Sequence, residues 1–178
     1  MKAWRPKDTI EPNPIGLSKE TVTKLIPLLD QHTASLYVLF HQYQKHHWLV
    51  EGPQFHDLHL YLGASYDEVQ KEVDAVAERI TAIGGIPTCN PVEQAKIAYV
   101  THEPEGTFHI RDMLKHDQAH ESAIAIEFRK TIKLACDLGD YGTETLLKNI
   151  LVEVEDRAHH LEHFLGEDSL EIGRANDK

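Results

Sequence analysis

A turn between two apolar helix patterns decides the fold, and it lies in the stretch His47-Trp48-Leu49-Val50-Glu51-Gly52-Pro53-Gln54-Phe55-His56-Asp57-Leu58-His59. Gly52 and Pro53 mark the turn, because glycine favours turn conformations and proline lacks a backbone donor. On both sides of them, apolar residues recur at steps of three and four, which is the spacing of an amphipathic helix. The stretch therefore predicts two long helices joined by a short link.

The same pattern sets the limits of these two helices. The first begins near Ser18 and continues to His47, with Pro27 as a point where it either kinks or truly begins. The second runs from Phe55 to the glycine pair Gly84-Gly85, which is a common way for a helix to end.

Two more helices are predicted in the second half of the chain, over about 110–138 and 143–165. Between the two helix pairs, residues 86–107 carry three prolines around a short apolar piece, which is typical of a crossover loop holding a small helix. Four long helices with short first and third links and a long middle crossover describe an all-α, ferritin-like four-helix bundle. We interpret residues 1–17 as an irregular N-terminal arm, 18–166 as the single domain and 167–178 as a mobile tail.

Charge and composition restrict the possible partners. The 178 residues include 29 acidic and 18 basic side chains, a formal net charge of −11 that repels polyanions and attracts cations. No run approaches the length of a membrane span, and the first residues lack the apolar core of a secretory signal. We therefore expect a cytoplasmic protein without membrane association, in which the two isolated cysteines stay reduced.

Four residues form a candidate metal-binding set. His47 continues the apolar stripe of the first helix, and His59 follows Phe55 by one turn on the second. Asp74 and Glu78 share one face of that second helix. Imidazole and carboxylate together are ligands that redox iron uses. The alternatives are hydrogen-bonded core histidines and a solvated acidic pair.

Distance restricts how these ligands can meet. His59 and Asp74 are fifteen residues apart on one helix, so a rise of roughly 1.5 Å per residue separates them by about 22 Å. They cannot bind one ion within one chain. A two-fold partner would have to bring its own histidines to the carboxylates of this chain, which would create two identical sites per dimer.

These residues resemble the Dps family (DNA-binding protein from starved cells), also called miniferritins. The resemblance runs without a gap through His47-Trp48, Gly52-Pro53, Phe55, His59, Asp74, Ala77-Glu78-Arg79 and Gly84-Gly85. It implies a homododecameric shell built from two-fold dimers. It also implies that His47 and His59 of one subunit, with the partner subunit's Asp74 and Glu78, form the catalytic ferroxidase centre.

Two departures from the family pattern affect the expected ligand set. Gly63 stands one turn after His59, where the family commonly has a further acidic ligand. His159 stands where the family usually places a tryptophan, and His163 follows it by one turn. These two imidazoles are expected either to join the metal ligands, giving a site that also suits zinc, or to form a solvated helix edge.

The remaining motifs are weaker. Asp137, Asp140 and Glu144 resemble the acidic stretch that lines the iron-entry pores of the family, although a solvated charge cluster is the alternative. Neither Asp117-x-x-His120 nor Asp156-x-x-His159 is the Glu-x-x-His repeat of di-iron enzymes whose site lies within one bundle. A site at a subunit interface is therefore the better explanation.

The resemblance implies an iron-oxidising and iron-storing miniferritin. Ferrous iron would be oxidised by hydrogen peroxide or dioxygen and stored as ferric mineral, which protects against oxidative stress. Two other functions stay open: a nucleoid-protecting DNA-binding protein, and a zinc or metal buffer without redox turnover. Against the first, the arm offers only Lys2, Arg5 and Lys7 beside two acidic residues, so we expect no tight duplex binding.

Overall fold

Five helices make up the part of the chain that the computed structural model describes, residues 1–166. They are α1 Lys19–Leu49, α2 Phe55–Ala82, α3 Pro91–Ile97, α4 Ile110–Asp137 and α5 Tyr141–Phe164. Over these 166 residues there is no β-strand. The four long helices and the crossover with its short helix confirm the predicted ferritin-like bundle. The predicted tail, 167–178, lies outside the described residues.

The helix boundaries follow from local chemistry. The Ser18 hydroxyl accepts a hydrogen bond from the Thr21 backbone N–H at 3.1 Å, which caps α1. Helix α1 therefore starts well before Pro27 and continues through it, with this proline on the exposed face. After α2, Gly84 has a φ of 92°, and a Cβ there would lie 2.1 Å from the Glu11 carbonyl oxygen. Only glycine fits this turn.

The core lies between two helix pairs, with α1 packed on α2 and α4 packed on α5. Large side chains that are fully buried come from all four long helices: Leu25, Leu29, Leu36, Leu39, Tyr43, Leu58, Leu62, Ile80, Met113, Ile124, Phe128, Leu147 and Leu161. Burial of one such aliphatic or aromatic side chain contributes about 1.5–3 kcal/mol. This apolar stripe is the one that the sequence periodicity predicts. Within residues 1–166, no helix is both long enough and apolar enough to span a membrane.

The N-terminal arm, residues 1–17, contains no helix and is bound to the end of the bundle. Arg5 forms an ion pair with Glu11 at 3.0 Å and donates to the Gly84 carbonyl oxygen. Lys7 forms an ion pair with Asp30 of α1 at 2.9 Å. Two of the three basic side chains of the arm are thus engaged within the chain.

A buried histidine ties the crossover to the bundle. The two ring nitrogens of His32 hydrogen-bond the Tyr99 hydroxyl at 2.9 Å and the Thr131 hydroxyl at 2.8 Å. Burial lowers the pKa of His32 to about 3, so the imidazole is neutral at physiological pH. This contact joins α1, the crossover and α4.

Candidate metal centre

The imidazoles of His47 and His59 lie stacked across the turn between α1 and α2. Their ring centroids are 3.7 Å apart, with an interplanar angle of 21°. The Nδ1 of His47 lies 2.8 Å from the carbonyl oxygen of His59, and the Nδ1 of His59 lies 2.9 Å from that of His47. The two residues therefore hold each other through reciprocal hydrogen bonds.

These hydrogen bonds determine which nitrogen is free to bind a metal. A carbonyl oxygen can only accept, so each Nδ1 must carry the proton and donate it. In the neutral imidazole, each Nε2 then keeps its lone pair. A histidine ligand is usually oriented in this way, by a hydrogen bond from its second nitrogen to a carbonyl or carboxylate. The structure thus brings together the two predicted histidines in a tautomer that fits a ferrous ion or zinc.

The surface around the two imidazoles is aromatic and partly exposed. The Phe55 ring stacks on His59 with centroids 4.9 Å apart, and the Tyr66 ring meets His47 edge-on at 5.3 Å. Trp48 is 67% exposed and Phe55 is 44% exposed. Exposed aromatic groups beside an incomplete ligand set are typical of a surface that another subunit covers.

Gly63 leaves this side of the histidine pair without a side chain. A Cβ at position 63 would lie 3.2 Å from both Cε1 and Nδ1 of His47. The His47 ring therefore lies directly against the α2 backbone, in the space that a longer side chain would fill.

The two predicted carboxylate ligands lie further along α2. Asp74 and Glu78 are both exposed. Asp74 borders an open surface cavity together with Tyr37 and Lys71. Within residues 1–166, no three His, Cys, Asp or Glu side chains are arranged to hold a metal ion. One chain thus provides a histidine pair and a separate carboxylate pair.

A buried polar cluster next to His47 was missed by the sequence analysis. His46 is fully buried, with Nδ1 2.7 Å from Asp117 and Nε2 3.1 Å from Glu103. Burial disfavours the imidazolium, but the hydrogen bonds and charges of Asp117 and Glu103 outweigh it and raise the pKa of His46. Lys45 forms an ion pair with Glu103 at 2.6 Å. The cluster fixes the end of α1 that carries His47.

His159 and His163 lie on the exposed face of α5. Their Nε2 atoms are 3.1 Å apart, and His159 is also 3.8 Å from Glu162. The side chain of His159 is 61% exposed. The two imidazoles are close enough to share an ion, and no contact within the described chain joins them to His47 or His59.

The three acidic residues at the junction of α4 and α5 differ in their surroundings. Asp137 is exposed and paired with Lys133 at 2.7 Å, and Glu144 is paired with Lys148. Asp140 is buried, and it accepts from Arg79 at 2.5 Å and from the Thr143 N–H at 3.0 Å. Asp140 therefore caps α5 and binds Arg79 of α2.

A comparison with family models and a comparison with known protein sequences point to the same group of proteins. The family model described as a ferritin-like domain matches residues 26–170. A nutrient stress-induced DNA-binding protein of Synechococcus sp. is 39% identical over 163 residues, covering 92% of this chain and 93% of that protein. A DNA protection during starvation protein of Halobacterium salinarum is 39% identical over 156 residues, covering 88% and 86% respectively.

Solved structures agree with the sequence relatives. The archaeal Dps homologue of Halobacterium salinarum superposes with a TM-score of 0.92 at 36% identity, covering 96% of this chain and 95% of that one. DpsC of Streptomyces coelicolor superposes with a TM-score of 0.92 at 28% identity, covering 95% and 99% respectively. With a matched domain over most of its length and relatives of this similarity, the chain belongs to the Dps family of ferritin-like proteins.

Proposed function

We propose that this protein oxidises ferrous iron at sites shared between two subunits and stores the ferric product inside a homododecameric cage. The observation that carries the proposal is the reciprocal hydrogen bonding of His47 and His59, since it leaves two Nε2 lone pairs on one surface. In a two-fold dimer, the partner subunit's Asp74 and Glu78 would supply the oxygen ligands.

The two kinds of ligand have different tasks in this chemistry. Neutral imidazole nitrogen suits ferrous iron, and hard carboxylate oxygen stabilises the ferric product. Two ferrous ions each give one electron to hydrogen peroxide, which takes up two protons and leaves as two waters. Dioxygen is the alternative oxidant. Consuming ferrous iron and peroxide together protects a cell from oxidative stress.

The entry of iron and the extra histidines belong to the same proposal. Exposed Asp137 and half-buried Glu144 stay candidates for an acidic pore. Asp140 already accepts hydrogen bonds from Arg79 and from the Thr143 N–H. His159 and His163 are proposed as an accessory site for ferrous iron or zinc, because their Nε2 atoms are 3.1 Å apart.

Anaerobic addition of ferrous iron, followed by hydrogen peroxide, tests the main proposal. We expect ferric absorbance to rise much faster than in a protein-free control, and to slow in the variant with His47→Ala and His59→Ala. A matched control is His56→Ala, which removes an exposed histidine from α2, the helix that carries His59. Metal binding without any ferric absorbance above the protein-free control would instead favour a zinc or metal buffer.

DNA binding is the second candidate function, because relatives of this chain are named DNA-binding proteins. We propose that this chain does not hold duplex DNA tightly at physiological salt. Its net charge is −11, and Arg5 and Lys7 are paired within the chain. Duplex binding depends on cationic groups that can replace the counterions of the phosphates.

A further inference from the structure

His116 and His120 lie one turn apart on α4, next to the crossover. Their ring centroids are 4.2 Å apart, with an interplanar angle of 52°. His120 is 5% exposed, and its Nε2 lies 3.1 Å from the carbonyl oxygen of Thr101 in the crossover. His116 is half-buried. The two imidazoles thus form a second histidine pair, separate in the chain from His47 and His59.

The contact with Thr101 determines which nitrogen of His120 carries the proton. A carbonyl oxygen can only accept, so Nε2 donates and Nδ1 keeps its lone pair. Burial, with a smaller contribution from the charge of His116, lowers the pKa of His120 to about 4, so this ring is neutral at physiological pH. Histidines that bind metals are usually oriented by a hydrogen bond of this kind.

Each histidine of the pair has a buried nitrogen without a partner. Within residues 1–166, Nδ1 of His120 and Nε2 of His116 are enclosed by protein and form no hydrogen bond. A proton on Nε2 of His116 would be a buried donor that nothing accepts, which favours the tautomer with a lone pair there. Buried polar atoms without a partner are rare in native proteins and indicate a bound water, ion or ligand.

The buried cluster around Arg157 of α5 is different, because its polar groups satisfy one another. The Arg157 side chain is 3% exposed. Its Nε donates to Glu121 at 2.6 Å, and Nη1 and Nη2 donate to the two oxygens of Glu72 at 2.7 and 3.0 Å. That cluster needs no ligand, whereas the unpaired nitrogens of His116 and His120 do.

The donor set restricts which ion fits. Imidazole nitrogen suits zinc, copper, iron and nickel. Zinc sites are almost always four-coordinate, yet over residues 1–166 no three His, Cys, Asp or Glu side chains are arranged to hold one ion. Because both nitrogens are shielded from solvent, water does not readily supply the missing ligands. Among these metals, monovalent copper is the ion that is stable with only two nitrogen donors.

We propose that Nε2 of His116 and Nδ1 of His120 bind one monovalent copper ion, Cu⁺, between α4 and the crossover. The protein around the two nitrogens would shield the bound ion from solvent. This copper site does not depend on the iron chemistry proposed for His47 and His59, since it uses other residues and another metal.

The test measures Cu⁺ binding by the full chain with Cys89→Ser and Cys136→Ser as the parent, because exposed thiols bind Cu⁺ strongly. Under anaerobic conditions, the protein competes for Cu⁺ with a coloured chelator, and the loss of absorbance gives the copper bound per chain. We expect the variant with His116→Gln and His120→Gln to bind one Cu⁺ per chain fewer than the parent. The amide introduced by His120→Gln can still donate to Thr101.

Two controls separate this site from the other histidines and from other metals. The variant with His56→Gln and His109→Gln loses two exposed histidines and should bind as much Cu⁺ as the parent. Zn²⁺ binding should be the same in the parent and in the variant with His116→Gln and His120→Gln. The X-ray absorption edge of the parent, loaded with one Cu⁺ per chain, should show copper with two nitrogen ligands.

Three results would overturn the proposal. Equal Cu⁺ binding in the parent and in the variant with His116→Gln and His120→Gln would leave a buried water as the partner of the two nitrogens. Copper with three or more ligands, or Zn²⁺ binding that is lost together with Cu⁺ binding, would contradict a site of two donors. If the double variant does not fold, His116→Gln alone at its half-buried position decides in the same way. Ferrous oxidation is not measured, so these results leave the proposed function untouched.

Discussion

Gly63 of α2 lies under the imidazole of His47, so close that a side chain there would press on the ring. An added Cβ would be 3.2 Å from two ring atoms, closer than ordinary van der Waals contact. The absence of a side chain at position 63 and the stacking of His47 on His59 are therefore linked.

The first prediction follows from this contact. In Gly63→Ala, the intrinsic helix propensity of α2 improves by about 0.8–1 kcal/mol. The added Cβ also forces the His47 ring to shift by a few tenths of an ångström, which disturbs its stacking on His59. We expect a Tm at or above that of the natural chain together with at least tenfold slower ferrous oxidation, measured by ferric absorbance. The control is Ala64→Gly at the neighbouring exposed position, which should lower the Tm and leave oxidation unchanged. If the Tm and the rate of ferrous oxidation rose or fell together in both variants, the prediction would be contradicted.

The second prediction concerns the sharing of one site between two subunits. One variant carries His47→Ala and His59→Ala, and another carries Asp74→Ala and Glu78→Ala. Each should be nearly inactive when assembled alone. Mixed dimers, however, combine the intact histidines of one chain with the intact carboxylates of the other.

Random mixing of equal amounts should restore about a quarter of the sites, because half of the dimers are mixed and each mixed dimer has one complete site. The measurement is the initial rate of ferrous oxidation after the two variants are unfolded and reassembled together. Mixed assemblies that form, as seen by mass spectrometry, but stay inactive would show that both ligand pairs do not belong to one shared site.

Local sequence patterns were sufficient to predict the four long helices. Apolar spacing placed all four long helices, because each helix buries one continuous stripe. The Gly52-Pro53 turn then brings His47 and His59 to the same end of two neighbouring helices. Their reciprocal hydrogen bonds could not be predicted, since these depend on the ring orientations and not on the spacing.

The buried ionic clusters could not be predicted for a different reason. Arg157 is separated from Glu121 by 36 positions and from Glu72 by 85, so no local pattern pairs them. The signal that was available is the position of Arg157 on an apolar stripe, between buried Val154 and Leu161. A charged residue at such a position needs a buried partner, although the sequence does not say which one.

The third prediction concerns acid sensitivity, which follows from the neutral state of His32. The pKa of His32 is about 3 in the folded chain because the ring is buried, against about 6.5 when unfolded. The unfolded chain therefore binds a proton more readily. The contribution of the neutral His32 ring to the free energy of unfolding is complete above about pH 6.5. It decreases as the pH falls toward the pKa that His32 has in the folded chain.

Between pH 7 and pH 5, His32 alone should lower the free energy of unfolding by about 2 kcal/mol. The groups that face the ring are the Tyr99 and Thr131 hydroxyls and the Phe128 ring, none of which titrates in this range. His32→Gln keeps a polar group there and should remove this part of the pH dependence, as measured by urea unfolding at fixed protein concentration. His109→Gln, at an exposed position, serves as the control. An identical pH dependence in the natural chain and in His32→Gln would refute the assignment.

The fourth prediction concerns duplex DNA and the N-terminal arm. Lys7 is bound to Asp30, and the Thr88 backbone N–H and hydroxyl donate to the same carboxylate at 2.7 and 2.6 Å. In a gel-shift assay at about 150 mM salt, we expect no retention of a linear duplex, and no change in Lys7→Ala. Asp30→Asn removes the charge of the carboxylate that pairs with Lys7, and it should increase DNA retention at low salt only. One freed cation adds about one phosphate contact, so the logarithm of the binding constant should fall with the logarithm of the salt concentration with a slope of about one. Retention of DNA by the natural chain at about 150 mM salt, lost in Lys7→Ala, would show that the arm leaves the bundle to bind phosphate.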